Sequence, residues 1–190
     1  MFDILQTYMD KSSAITIFVL VLLSIYFIIT LWIFIYRYFA LKAHLYTETR
    51  SMNKLYMGRT KNVDEKSLLF TYVNKVLIPN KAIFAAAINN GVKEATGGLT
   101  GLSIIASTSP FIGLFGTVVA ILETFSSLGM QKGASINIVA PAISEALVAT
   151  AAGIAVATFA YSFHLLLKRK AYELNLLLES QADLILSQKG

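Results

Sequence analysis

Cysteine is absent from the 190 residues, which removes any disulfide framework, thiolate metal site or cysteine nucleophile. Histidine is scarce: His44 and His164 stand far apart and offer no metal-ligand spacing. No nucleophile–base set, phosphate-binding loop or metal-ligand cluster can be assembled from the sequence, so no enzyme and no cofactor is expected. Charge is scarce as well. Charged side chains make up 14% of the chain and hydrophobic ones 56%, against roughly 25% charged in soluble domains. That imbalance exceeds what one aqueous core can absorb, and it points to lipid as the solvent. The N-terminal MFDILQTYMDK lacks a basic region, and the apolar run after it is too long for a signal peptide, so no cleaved leader is expected.

What is present is three long runs almost free of charge. Residues 12–36 and 95–122 carry none, and 133–167 contain only Glu145. A helix needs about 20 residues to cross the hydrocarbon core, so each run suffices. The expected class is an all-α, polytopic membrane protein with spans at 14–38, 101–126 and 136–167. A short outer N-terminus (1–13), an inner helical loop (39–100), an outer loop (127–135) and an inner helical tail (168–190) complete it. Lysine and arginine set the orientation. Ten lie between Arg37 and Lys93 and four in the tail (Lys168, Arg169, Lys170, Lys189), leaving Lys11 and Lys132 for the other side. The positive-inside bias puts the N-terminus out and the C-terminus in, as three spans require. Trp32, Tyr36, Tyr38 and Phe39 mark the inner end of span 1 as interfacial aromatics do. The net charge of +5 is thus a topology signal, and no nucleic acid is expected as a partner.

The inner loop predicts two helices. One is capped by Asp64-Glu65, runs through Leu68, Leu69, Tyr72, Val73 and Val76, and is ended by Pro79. A second starts near Asn80 and closes at Gly97-Gly98. In the tail, Leu174, Leu177, Leu178, Leu184 and Ile185 share a face opposite Glu173, Glu179 and Asp183. Span 3 is expected to continue into it as one helix, with the stripe packed either within the subunit or on a neighbour.

Glu145 is the most informative residue. An intramembrane carboxylate costs on the order of 3 kcal/mol on insertion scales, so such groups face a pore or bundle interior. It is either a proton-handling or pore-lining group, or a neutral carboxyl bonded to a neighbouring helix. Thr117 on span 2 and Glu145 on span 3 both lie roughly 12–14 Å from the outer ends of their helices, so antiparallel neighbours bring them to one level. Thr150 stands about 140° around the helix from Glu145, so both can border a wide pore but not one narrow face. A threonine in a membrane helix commonly just bonds its own backbone. Ala149, Gly153 and Ala157 form a small-residue ladder on span 3, and Gly113 and Gly116 one on span 2, which permits close helix approach. Pro110 and Pro141 predict kinks and freed carbonyls. Span 1, rich in Ile, Leu and Phe without such a ladder, is expected outermost, and spans 2 and 3 innermost around a central pore.

Two segments resemble the MotA/TolQ/ExbB proton-channel family. Ser109-Pro110-Phe111-Ile112-Gly113-Leu114-Phe115-Gly116-Thr117-Val118 is similar to its span-2 signature, and Val139 through Ala151, VAPAISEALVATA, to its span-3 signature. The order and three-span topology match, whereas MotA has four spans. Ser109-Pro110, and Leu128-Gly129 with Lys132, resemble the TolQ branch more than the ExbB branch. Ala120, Ala142, Ser144 and Glu123 depart from the common pattern. The resemblance implies that Glu145 is the pore carboxylate and that Thr117 and Thr150 line the proton path. It also implies five subunits around two single-span TolR/ExbD-like partners in a bacterial inner membrane. Proton flow would then drive a TolA-like protein in outer-membrane integrity and cell-division constriction. The nearest alternative is an ExbB-type subunit energising TonB-dependent nutrient uptake. An autonomous ion channel or small transporter is a reading of another class.

Overall fold

The computed structural model describes residues 14–57, 64–70, 80–130 and 136–189. Four helices follow in order: α1 (Ala14–Tyr56), α2 (Lys81–Ala95), α3 (Leu99–Met130) and α4 (Ile136–Lys189). No strand occurs among the described residues, so the fold is all-α. α1, α3 and α4 are each long and apolar enough to cross a membrane. α3 and α4 run unbroken through Pro110 and Pro141.

The long helices outrun the apolar segments. α1 continues past Arg37 and Lys42 to Tyr56. Charge there marks the end of apolar surface but does not end a helix, because Lys and Arg are good helix formers. The tail is the continuation of α4. α2 starts after Asn80, whose Oδ1 accepts from Ile83 N–H at 2.9 Å, satisfying one free donor of the first turn. The turn from α2 into α3 needs a left-handed residue, and Gly98 supplies it at φ +89°. The first expected loop helix falls largely on 71–79, outside the described residues.

The chain forms two compact units. The first comprises α1 up to Trp32 with Gly101–Ser162. Its core joins Val19 and Leu23 of α1, Ile105 of α3, and Ala149, Val156 and Ala160 of α4. Phe27 meets Phe159 edge-on, with ring centroids 5.6 Å apart. α1 therefore presents two faces in this unit. Thr16, Val19, Leu23 and Thr30 are buried, while Phe18, Val21, Ile25 and Ile28 are exposed.

The second unit comprises Ile33–Thr100 with α4 from Phe163 onward. Leu167, Ala171, Leu174, Leu178, Ala182 and Ile185 form the buried stripe of α4, with Gln181 fully buried among them. The stripe is covered within the subunit: Leu178 lies beside Gly91 of α2. Leu177 and Leu184 of the expected face are only half-buried. Phe34 stacks on Phe163, with centroids 4.0 Å apart. Arg37 donates to the Glu94 carbonyl at 3.2 Å, placing a cation at the C-terminal end of α2.

Candidate proton site at the α3–α4 crossing

Close approach of two backbones organises the site. A Cβ at Gly153 would lie 2.5 Å from the Ser109 carbonyl oxygen and 3.1 Å from Gly113 Cα. A Cβ at Gly113 would lie 2.6 Å from the Ala149 carbonyl oxygen and 3.0 Å from Thr150 Cα. Glycine is therefore required on both sides of this crossing. Ala149 is fully buried there, and Ala157 is buried further along. Gly116 belongs to a different contact: its Cβ position faces the Val19 side chain of α1 at 3.0–3.3 Å.

The crossing brings three polar groups together. Thr117 Oγ1 lies 2.8 Å from the Ala146 carbonyl oxygen and 3.3 Å from the Gly113 carbonyl oxygen. It also lies 2.6 Å from Thr150 Oγ1. Each hydroxyl has one proton, so both are satisfied when Thr150 donates to Thr117 and Thr117 donates to the Ala146 carbonyl. This cross-helix bonding goes beyond the local backbone bond common for membrane threonines. Glu145 is the residue next to Ala146, at the level of Thr117. It is half-buried, and its Oε1 is buried without a hydrogen-bond partner. Among the described residues, no hydrogen bond joins Glu145 to Thr117 or Thr150. An unpartnered buried carboxylate oxygen is an unfilled acceptor, suited to a proton or to a donor from outside this chain.

Sequence reasoning missed Glu48, a fully buried acid in the second unit. Its Oε2 accepts from Ser67 Oγ and Gln181 Nε2 at 2.9 Å each, and its Oε1 from Leu68 N–H at 2.8 Å. It sits in a charged stretch, YTETR, where nothing marks it from its neighbours. No group of His, Cys, Asp and Glu among the described residues could hold a metal ion.

A helical membrane protein with this crossing and a single acid in its third apolar segment is the class that the geometry defines, and likeness to known proteins specifies it. The chain belongs to the MotA/TolQ/ExbB proton channel family, whose model matches residues 75–180. An ExbB-like biopolymer transport protein of Helicobacter pylori (strain J99) is 43% identical over the full length of both chains. The Tol-Pal system protein TolQ of Haemophilus influenzae is 44% identical over 68 residues, 36% of this chain and 30% of that one. The biopolymer transport protein ExbB of Neisseria gonorrhoeae is 51% identical over 69 residues, 35% of this chain and 31% of that one.

Proposed function

We propose that this chain is the channel and stator subunit of a proton-driven complex, with Glu145 as its proton-handling group and Thr117 and Thr150 beside it. One observation carries the reading. The sole charged residue of the third apolar segment keeps a buried oxygen without a partner, at a crossing held by glycines and two threonines. Permanent structural acids are bonded, as Glu48 is; Glu145 is left able to exchange. In this reading the spans lie at 14–38, 101–126 and 136–167, N-terminus out, in a bacterial inner membrane. Copies of the chain, five by family resemblance, ring a TolR/ExbD-like single-span partner. Each proton charge crossing 100 mV supplies about 2.3 kcal/mol, so several per stroke drive motion in a TolA- or TonB-like protein.

Two outputs remain open to this machine. TolQ-like service in envelope integrity is favoured by Ser109-Pro110 and by Leu128-Gly129 with Lys132. ExbB-like service in nutrient uptake is favoured by the full-length likeness to the ExbB-like protein. Deletion of the gene separates them: leakage of periplasmic contents and chaining cells support the former, and loss of TonB-dependent uptake the latter. Complementation with Glu145→Gln tests the shared core. Loss of output, with insertion and partner assembly intact, is expected. Full activity of a stable Glu145→Gln protein sinks the proton role.

A further inference from the structure

Among the described residues of the first unit, three buried side-chain oxygens have no hydrogen-bond partner: Thr16 Oγ1, Thr30 Oγ1 and Glu145 Oε1. Thr30 breaks a pattern. Ser24, Thr108, Ser109, Thr124, Ser144 and Thr158 all return their proton to a carbonyl one turn earlier. Thr30 does not, and Thr16, the third residue of α1, likewise keeps its Oγ1 without a partner while only 1% exposed. A buried hydroxyl with no protein partner needs another one.

Placement joins Thr16 to Glu145. On α4, Glu145 precedes Ala149, Ala152 and Val156 at helical spacing, the stripe that packs on Val19 and Leu23. On α1, Thr16 precedes Val19 and Leu23 on the facing stripe. Val19 touches Gly116, and the next residue, Thr117, bonds the carbonyl of Ala146. α1 and α4 run in the same direction, with Phe27 against Phe159 further on. Stepping from Val19 back to Thr16 and from Ala146 back to Glu145 therefore moves the same way. The two residues lie within about one turn, roughly 5 Å, along the helix axis.

We infer that Thr16 and Glu145 share bound water, so that α1 supplies a third wall of the proton site. This rests on the proton-handling reading of Glu145. A hydroxyl suits the position because it can donate or accept. When Glu145 is ionised, the water donates to Oε1 and accepts from Thr16. When Glu145 carries the proton, it donates to the water, which then donates to the Thr16 oxygen. The carboxyl thus keeps a partner in both states, and Thr16 acts as a positioning residue.

The test uses the full chain, co-purified with its single-span partner and reconstituted in vesicles, with a pH-sensitive dye reading proton uptake. Infrared spectroscopy reads the Glu145 carboxyl stretch, assigned by its loss in Glu145→Gln. Thr16→Val keeps shape and removes the hydroxyl; Thr16→Ser keeps the hydroxyl; Thr30→Val removes the other unpartnered hydroxyl of α1. The expected result is about a fivefold loss of flux in Thr16→Val, the scale of one neutral hydrogen bond, with a shifted carboxyl band. Thr16→Ser restores both, and Thr30→Val changes neither. Wild-type flux and an unshifted band in Thr16→Val overturn the inference, as do equal losses in Thr16→Val and Thr30→Val. If Glu145→Gln itself conducts normally, the proton-handling reading fails, and this inference with it. Should Thr16→Val not assemble, Thr16→Ala read by the same band decides.

Discussion

At the residue scale, the Thr117–Thr150 pair and Glu145 divide the work of the crossing. The hydroxyl pair ties α3 to α4 through bonds of 2.6 and 2.8 Å, while the carboxylate beside it stays unbonded at Oε1. Thr117→Val removes both cross-helix bonds and should destabilise the protein by about 1–2 kcal/mol. Thr150→Val should cost less, because Thr117 keeps its bond to the Ala146 carbonyl. Thermal unfolding in detergent checks the order, and equal losses would contradict it. Asp64 makes a pH prediction. The hydrogen bond from Lys54 at 2.7 Å holds its carboxyl below the ordinary 3.8, against a smaller opposing effect of burial. A depressed carboxyl stabilises the fold above its unfolded value, and that contribution is lost as pH falls through the lowered one. The pair is partly exposed, so the effect is under about 1 kcal/mol. Protease sensitivity of the 64–70 segment should rise in strong acid. Asp64→Asn should show the raised sensitivity at neutral pH.

At the element scale, each glycine answers to its own neighbour. Gly113 and Gly153 meet backbone across the α3–α4 crossing, whereas Gly116 meets the tip of the Val19 side chain. Backbone can yield only by moving a helix, but a side chain can shift its rotamer. Gly153→Ala should therefore destabilise by about 1–3 kcal/mol and Gly116→Ala by less. Unfolding midpoints of the two variants decide, and a reversed order would refute the assignment of faces. The spacing of small residues was legible in the sequence; which helix each one meets was not, because a glycine carries no mark of its neighbour. α1 shows the same limit. Its composition fits a helix beside lipid but does not mark which residues turn inward, as Thr16, Val19, Leu23 and Thr30 do. Ile, Leu and Val serve a lipid face and a packed face equally well.

At the scale of the whole molecule, Glu48 ties three separate stretches of chain together. Its carboxylate joins α1 to Ser67 and Leu68 of the loop, and to Gln181 of α4. Gln181 also donates to the Glu48 backbone carbonyl at 2.9 Å. Glu48→Ala leaves buried donors unpaired and should cost about 2–3 kcal/mol. Limited proteolysis should then cut the 64–70 segment sooner, with the membrane helices intact. An unchanged pattern would show that the network does not hold the loop. Elsewhere the surface is strongly apolar: Trp32, Phe39, Phe111, Phe115, Leu122 and Phe125 are all exposed. Such surface needs lipid or further subunits to cover it.

The membrane class, the three apolar helices and Glu145 as the residue of interest were all determined by the sequence alone. Hydropathy and the cost of a charge in hydrocarbon are properties of residues taken singly or in runs, so they survive without coordinates. The level of Thr117 with Glu145 was also legible, because a helix rises by a fixed amount per residue. Tertiary structure alone decided that Thr117 pairs with Thr150, that Glu48 is buried and bonded, and that Thr16 turns inward. Each of these depends on how helices rotate and cross, and that rotation is set by packing summed over many distant side chains.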